Sequence, residues 1–140
     1  MISTVLRVHE AVYKTTGGLI GHRMLFGMPT LLLHSTGRRS GAERVNALTY
    51  LQDGERWVVV ASKGGSDAAP AWLHNVRAKP EVEVQIARKR TPAIAREIKD
   101  DDPEYARLWA GANKLNGGRY DAYQAKTKRR IPLIILTPAG

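Results

Sequence analysis

Cysteine is absent from this sequence of 140 residues. The chain therefore has no disulfide framework and no thiolate chemistry, and a reducing cytoplasm suits it. No apolar run approaches the roughly 20 residues that a membrane-spanning helix needs. Arg7, His9, Glu10 and Lys14 interrupt any apolar region near the start, so a signal-peptide pattern is not expected. Internal repeats and low-complexity segments are lacking. The four histidines, His9, His22, His34 and His74, show no HExxH or other tight ligand spacing, so no metal site is expected. There is no GxSxG nucleophile elbow. Neither a phosphate loop of the nucleoside-triphosphatase type nor a GxGxxG fingerprint occurs. Acidic residues are few in the strand region, which argues against a glycosidase pair of carboxylates. What remains is cofactor chemistry, in which the protein binds and orients while the cofactor reacts.

Positive charge is abundant. Lys and Arg total 22 against 13 for Asp and Glu, a net charge of +9. That balance calls for an anionic partner: a polyanionic cofactor, nucleic acid or an acidic membrane surface. The length fits one domain that buries a core without staples.

Ser3 or Thr4 can cap a first helix to about Lys14, ended by Gly17-Gly18. Residues 1–29 are expected as an N-terminal helical arm, packed on the domain or acting as an amphipathic membrane contact or lid. Residues 30–140 are expected as the folded domain. Leu31-Leu32-Leu33 suits a strand buried on both faces. Val45 to Leu51 reads as a second strand, Asp53-Gly54 as a hairpin turn and Trp57 to Val60 as a third strand. Pro70 opens a short helix that stops before Pro80. Val82 to Ile86 alternates strictly, so one face is wet. Arg88-Lys89-Arg90 reads as the turn into a fifth strand, Ala93 to Ile98. Acids from Asp100 to Glu104 begin a helix that reaches about Leu115. A short helix carries Tyr120 and Tyr123, and Ile131 to Leu136 is the last strand. Mostly hairpin order predicts a closed or nearly closed antiparallel barrel with helices over its openings.

Three segments carry the candidate chemistry. Gly37 and Gly41 bracket a turn bearing Arg38, Arg39 and, just beyond, Arg44. Arginine forks suit carboxylate and phosphate oxygens; a solvated turn is the alternative. Ala61-Ser62-Lys63-Gly64-Gly65 follows a buried strand, and its glycines allow backbone N–H groups to approach a ligand. Pro70-Ala71-Trp72-Leu73-His74-Asn75 places a tryptophan beside that loop, as a core residue or as a wall for a planar ring. Tyr120 and Tyr123 share a helical face, for packing or for hydrogen bonding to a substrate.

These segments, with Arg44-Val45-Asn46, resemble the deazaflavin-dependent nitroreductase family, the coenzyme F420-dependent reductases of mycobacteria and related actinobacteria. The resemblance runs from about Leu31 to Ile86 and resumes at Tyr120-Asp121-Ala122-Tyr123 and Arg130-Ile131-Pro132. It implies a mainly β (α+β) fold, a split β-barrel of about six mostly antiparallel strands with flanking helices, like flavin reductases. It also implies an oxidoreductase in which reduced F420 donates a hydride to a quinone, nitroaromatic or similar acceptor. By matching positions, Arg38, Arg39, Ser40 and Arg44 would hold the phosphate and oligoglutamate tail. Val45, Asn46 and Ala47 would line the cofactor groove, and Ala61, Ser62, Lys63 and Gly64 would meet the phosphate region and ring. Ala71, Trp72 and Asn75 would flank the ring. Tyr120 and Tyr123 would face the acceptor, with Ser62, a tyrosine or water supplying the proton. Close members tend to have an aromatic residue where this chain has Gly117 and proline where it has Ala47, implying a wider or differently shaped acceptor pocket.

Two other readings stay open: a split barrel that uses FMN, and a nucleic-acid-binding module using Arg88-Lys89-Arg90 and Lys126 to Arg130. The family reading expects no nucleic acid, a cytoplasmic protein with peripheral contact to the inner membrane face through the N-terminal segment, and pairing as a homodimer.

Overall fold

The computed structural model describes residues 28–139. The expected helical arm, residues 1–29, lies outside the described residues except for its last two positions. In chain order the elements are β1 (Thr30–Thr36), β2 (Glu43–Thr49), β3 (Leu51–Asp53), β4 (Arg56–Val60), α1 (Ala71–Ala78), β5 (Glu81–Ile86), β6 (Lys89–Ile98), α2 (Tyr105–Leu115), α3 (Arg119–Ala125) and β7 (Leu133–Pro138). The strands form one seven-stranded sheet in the order β2-β1-β5-β6-β7-β4-β3, with every pairing antiparallel.

Tyr50 explains how this sheet becomes a barrel. β2 and β3 lie at opposite ends of the hydrogen-bonded order, yet only Tyr50 separates them along the chain. The sheet must curl until its two edges meet. Tyr50 leaves the ladder, and its N–H donates to the Pro29 carbonyl at 3.1 Å. The continuous strand expected over Val45 to Leu51 is thus two strands, because the chain exchanges partner β1 for partner β4 at this bend. That bend raises the expected six strands to seven.

Both faces of the central strands are covered, which accounts for their unbroken apolar runs. Val59, Ile134 and Leu136 point into the barrel with Leu31, Leu33, Val82 and Val84. Trp72, Leu73 and Val76 of α1 belong to this inner core. Val58, Val60, Leu133 and Ile135 point outward and carry α2 through Tyr105, Leu108 and Ala112. Each fully buried leucine or isoleucine here contributes about 1.5–3 kcal/mol over its exposed state. On β5 the expected alternation holds at its start, with Val82 and Val84 inside and Glu81 and Glu83 outside. β6 begins at Lys89 rather than Ala93, because the turn is confined to Ala87 and Arg88, where Ala87 adopts φ 54°.

Candidate functional site

The basic turn between β1 and β2 is built by its own backbone. The Gly41 N–H donates to the Gly37 carbonyl at 2.9 Å, and the Gly37 N–H donates to the Ala42 carbonyl at 2.8 Å. Gly41 sits at φ 73°, where a side chain is strained. The Ser40 hydroxyl accepts from the Ala42 N–H and from Arg44 Nη2. The Arg38 N–H donates to Asn75 Oδ1 at 3.1 Å, tying the turn to α1. The side chains of Arg38, Arg39 and Arg44 have no carboxylate partner among the described residues.

The glycine loop turns the other way round. Lys63, Gly64 and Gly65 have φ of 46°, 63° and 85°, a left-handed turn that points consecutive N–H groups to one side. A Cβ on Gly65 would lie 2.7 Å from the Tyr123 carbonyl oxygen, so this loop packs directly on α3. The Ser62 side chain is almost buried, and its hydroxyl has no hydrogen-bond partner among the described residues.

α3 is locked by its neighbours. Asp121 accepts from Trp109 Nε1 at 2.7 Å and from Asn113 Nδ2 at 2.9 Å. Trp109 lies 6.2 Å from Tyr120 between ring centroids, and Tyr120 meets Tyr123 edge to face at 6.1 Å. Burial first, and the neighbouring Tyr123 second, push the Tyr120 phenol up to about 12. It therefore stays protonated across the neutral range and donates hydrogen bonds rather than accepting protons.

Two adjoining cavities result. One, of about 330 Å³, is lined by Gly37, Arg38, Arg39, Ser40, Arg44, Asn46, Ala71, Trp72 and Asn75. The other, of about 360 Å³, is lined by Asn46, Ala47, Leu48 and Thr49 of β2, by Ser62, Lys63 and Gly64, and by Trp72, Asn116, Arg119, Tyr120 and Tyr123, with Met28, Val60 and Pro70. Asn46 and Trp72 line both, so the cavities adjoin across these side chains. A larger hollow of about 700 Å³ lies elsewhere, between Arg77, Glu97 and Asp102. There the Arg77 fork is already satisfied by Glu97, and size alone does not make it a better site.

Most residues expected at a site thus converge. Val45 and Ala61 do not line either cavity. Val45 packs against Leu32, because alternation along β2 turns it away from the face of Arg44 and Asn46. Ala61 is fully buried in the inner core. Sequence reasoning missed Asn116 and Arg119. An asparagine before two glycines reads as the end of a helix, yet its side chain is 4% exposed and its Oδ1 is buried without a partner among the described residues. The basic runs do not form a continuous exposed strip. Arg90 pairs with Glu83 and Glu43, Arg130 pairs with Asp100 and Lys126 lies over the Tyr123 ring.

Comparison with known proteins gives a consistent result. The family model described as "F420H(2)-dependent quinone reductase" matches residues 5–138. An F420H(2)-dependent quinone reductase of Mycobacterium tuberculosis is 45% identical over 133 residues, which cover 95% of this chain and 89% of the relative. The solved structure of an F420-H2 dependent reductase, FDR-A, superposes with a TM-score of 0.70 at 37% identity, covering 77% of this chain and 93% of its own. A solved domain-swapped dimer matches with the same TM-score, 0.70, at 32% identity over 96% of this chain and 99% of its own.

Proposed function

Because the chain belongs to the family of F420H(2)-dependent quinone reductases, we infer that the adjoining cavities hold reduced F420 and its electron acceptor. The protein is an F420H2-dependent oxidoreductase with a split β-barrel fold. The coenzyme supplies a hydride when bound. The assignment of residues to roles rests chiefly on one observation: three arginines without carboxylate partners among the described residues rim one cavity, and it adjoins a second cavity lined by two tyrosines.

Arg38, Arg39 and Arg44 hold the anionic tail, and Ser40 sets the angle of the Arg44 fork. Trp72 and Asn46, common to both cavities, flank the ring. Ala71 and Asn75 line its tail side, and Ala47 its acceptor side. The free N–H groups of Lys63 and Gly64 and the Lys63 ammonium suit an anionic oxygen. These features fit a polyanionic deazaflavin coenzyme better than a compact flavin nucleotide, since the cations continue well beyond the ring cavity. Hydride transfer requires donor and acceptor within about 3–3.5 Å, and Trp72, Asn46, Tyr120 and Tyr123 are the residues that would hold the two in register.

Hydride addition places negative charge on the acceptor oxygen, and one proton completes a hydroquinone. Tyr120, kept neutral by burial, donates to that oxygen; Ser62 and Tyr123 are the other donors at hand. Quinones are the proposed acceptor class, and nitroaromatics a second. A second copy of the chain is a proposed partner, supported by the related dimer. Among the described residues no helix is long and apolar enough to cross a membrane. Cytoplasmic residence with peripheral membrane contact through the N-terminal segment is proposed, and that segment lies outside the described residues.

The test is a titration of purified protein with F420, followed by oxidation of the reduced coenzyme with menadione and with a nitroimidazole. Tight binding with menadione turnover is expected. Absence of F420 binding would overturn the reading, and binding without turnover of either acceptor would remove these acceptor classes.

A further inference from the structure

Arg129 belongs to the basic run that, in the sequence, was open to nucleic acid. Its guanidinium instead turns inward beneath the glycine loop. Nε donates to the Ser66 carbonyl at 2.8 Å, and Nη2 donates to the carbonyls of Ser62 at 2.9 Å and Ala61 at 3.2 Å. Two of these acceptors precede the left-handed turn and one follows it, so a single planar fork ties the entry of the turn to its exit. No carboxylate pairs with Arg129 among the described residues; Asp67 accepts instead from the Thr127 hydroxyl.

The turn needs such a tie. Lys63 at φ 46° holds a backbone conformation that side chains disfavour, and surrounding contacts must hold it there. Inside the turn only the Gly65 N–H to Ser62 carbonyl bond and the Ser66 N–H to Lys63 carbonyl bond close it. With the carbonyls of Ala61, Ser62 and Ser66 drawn onto the guanidinium, the N–H groups of Lys63 and Gly64 have no acceptor among the described residues. A row of such N–H groups is an anion-binding concavity, and Lys63 and Gly64 line the second cavity.

We propose that Arg129 is a positioning residue: its three-carbonyl fork holds the Lys63–Gly65 turn left-handed so that the turn's N–H groups face an anionic oxygen of the bound coenzyme. The inference rests on the cofactor reading above. It adds a residue that touches neither cavity. The fork geometry matters as much as the charge, since a lysine ammonium cannot span the three carbonyls in one plane.

The experiment compares wild-type protein with Arg129→Ala and Arg129→Lys. F420 binding is followed by coenzyme fluorescence, and the exchange of the Gly65 and Ser66 amides is followed without coenzyme. Arg129→Ala is expected to weaken F420 binding at least tenfold and to speed exchange of both amides. Arg129→Lys is expected to recover less than half of that loss. Added guanidinium ion is expected to restore binding to Arg129→Ala, which a general loss of folding would not permit. Wild-type affinity and exchange in a folded Arg129→Ala would overturn the proposal, as would full recovery by lysine. If Arg129→Ala does not fold, unchanged amide exchange and affinity in Arg129→Lys would overturn it. If wild-type protein binds no F420, the cofactor reading falls separately, and unchanged exchange in the variants would still overturn the role in the loop.

Discussion

Two groups of arginines sit in this small protein under opposite conditions. Around Asp53, Arg56 and Arg107 each bond both Asp53 and Glu104, and Arg96 bonds Asp102 and Glu104. At the mouth of the first cavity, Arg38, Arg39 and Arg44 have no carboxylate among the described residues. The first group is satisfied within the chain, pinning α2 to the β3–β4 hairpin. The second leaves its guanidinium groups without such a partner among the described residues, which suits the proposed anionic coenzyme. Excess positive charge is therefore informative only where it is unpaired, and composition alone cannot separate the two groups.

The sharpest way to break this comparison is to reverse charge at the cavity mouth. A double substitution Arg38→Glu and Arg39→Glu should weaken F420 binding by about 100-fold or more, at roughly 1.5–3 kcal/mol per lost charge-assisted bond. Melting temperature should hardly move, because these side chains make no ion pair among the described residues. A titration paired with thermal melting checks both halves. Equal losses of binding and stability would show that the arginines support the fold.

Tyr120 tests whether the second cavity acts on chemistry rather than on binding. Tyr120→Phe should lower menadione turnover about 100-fold, the low end of general acid effects, with F420 affinity unchanged. Its wild-type pH profile should show no loss of the donor below about pH 11, since the phenol is pushed up to about 12. An unchanged kcat would pass the role to Ser62 or Tyr123.

The paired group should respond in the opposite sense. Arg107 first and Arg56 second hold the Asp53 carboxyl down at about 2. A depressed folded-state value means that Asp53 contributes stability above its unfolded value near 4, lost as pH falls from about 4 to 2. Asp53→Asn should cost about 1–2 kcal/mol near neutral pH after solvent screening. It should leave F420 binding intact, and the gap in melting temperature should close by about pH 2. A gap that stayed constant with pH would assign the loss to packing.

The smallest effect is expected at Arg96, whose side chain is 52% exposed. Arg96→Ala should change stability by about 0.5 kcal/mol or less. A larger loss in denaturant unfolding would mean that the network around Glu104 acts cooperatively.

Much of the candidate site was legible because its parts are local. Gly41 in a left-handed turn, arginines on that turn and a tryptophan two residues into a proline-started helix are signals carried by neighbours in sequence. The strands were legible for the same reason: Val58 to Val60 and Leu133 to Leu136 read as continuous apolar runs because both of their faces are covered. Asn116 and Arg129 were not legible. Asn116 lines the second cavity only once the chain folds, and Arg129 reaches carbonyls more than sixty residues away in sequence. Val45 lies outside both cavities for a related reason. A motif names consecutive residues, whereas a strand sends alternate ones to opposite faces.

By itself, then, the sequence determined the elements and their hairpin order, the excess of positive charge and the glycines that let backbone approach an anion. These follow from propensity and steric limits acting over a few residues. Tertiary structure alone decided three other things. It bent the chain at Tyr50, so that the two edge strands follow each other directly and the sheet curls. It paired some arginines and left others open. It folded Arg129 under the glycine loop. Each of these depends on which distant groups come within bonding distance, and that is settled only when the sheet closes and its core packs.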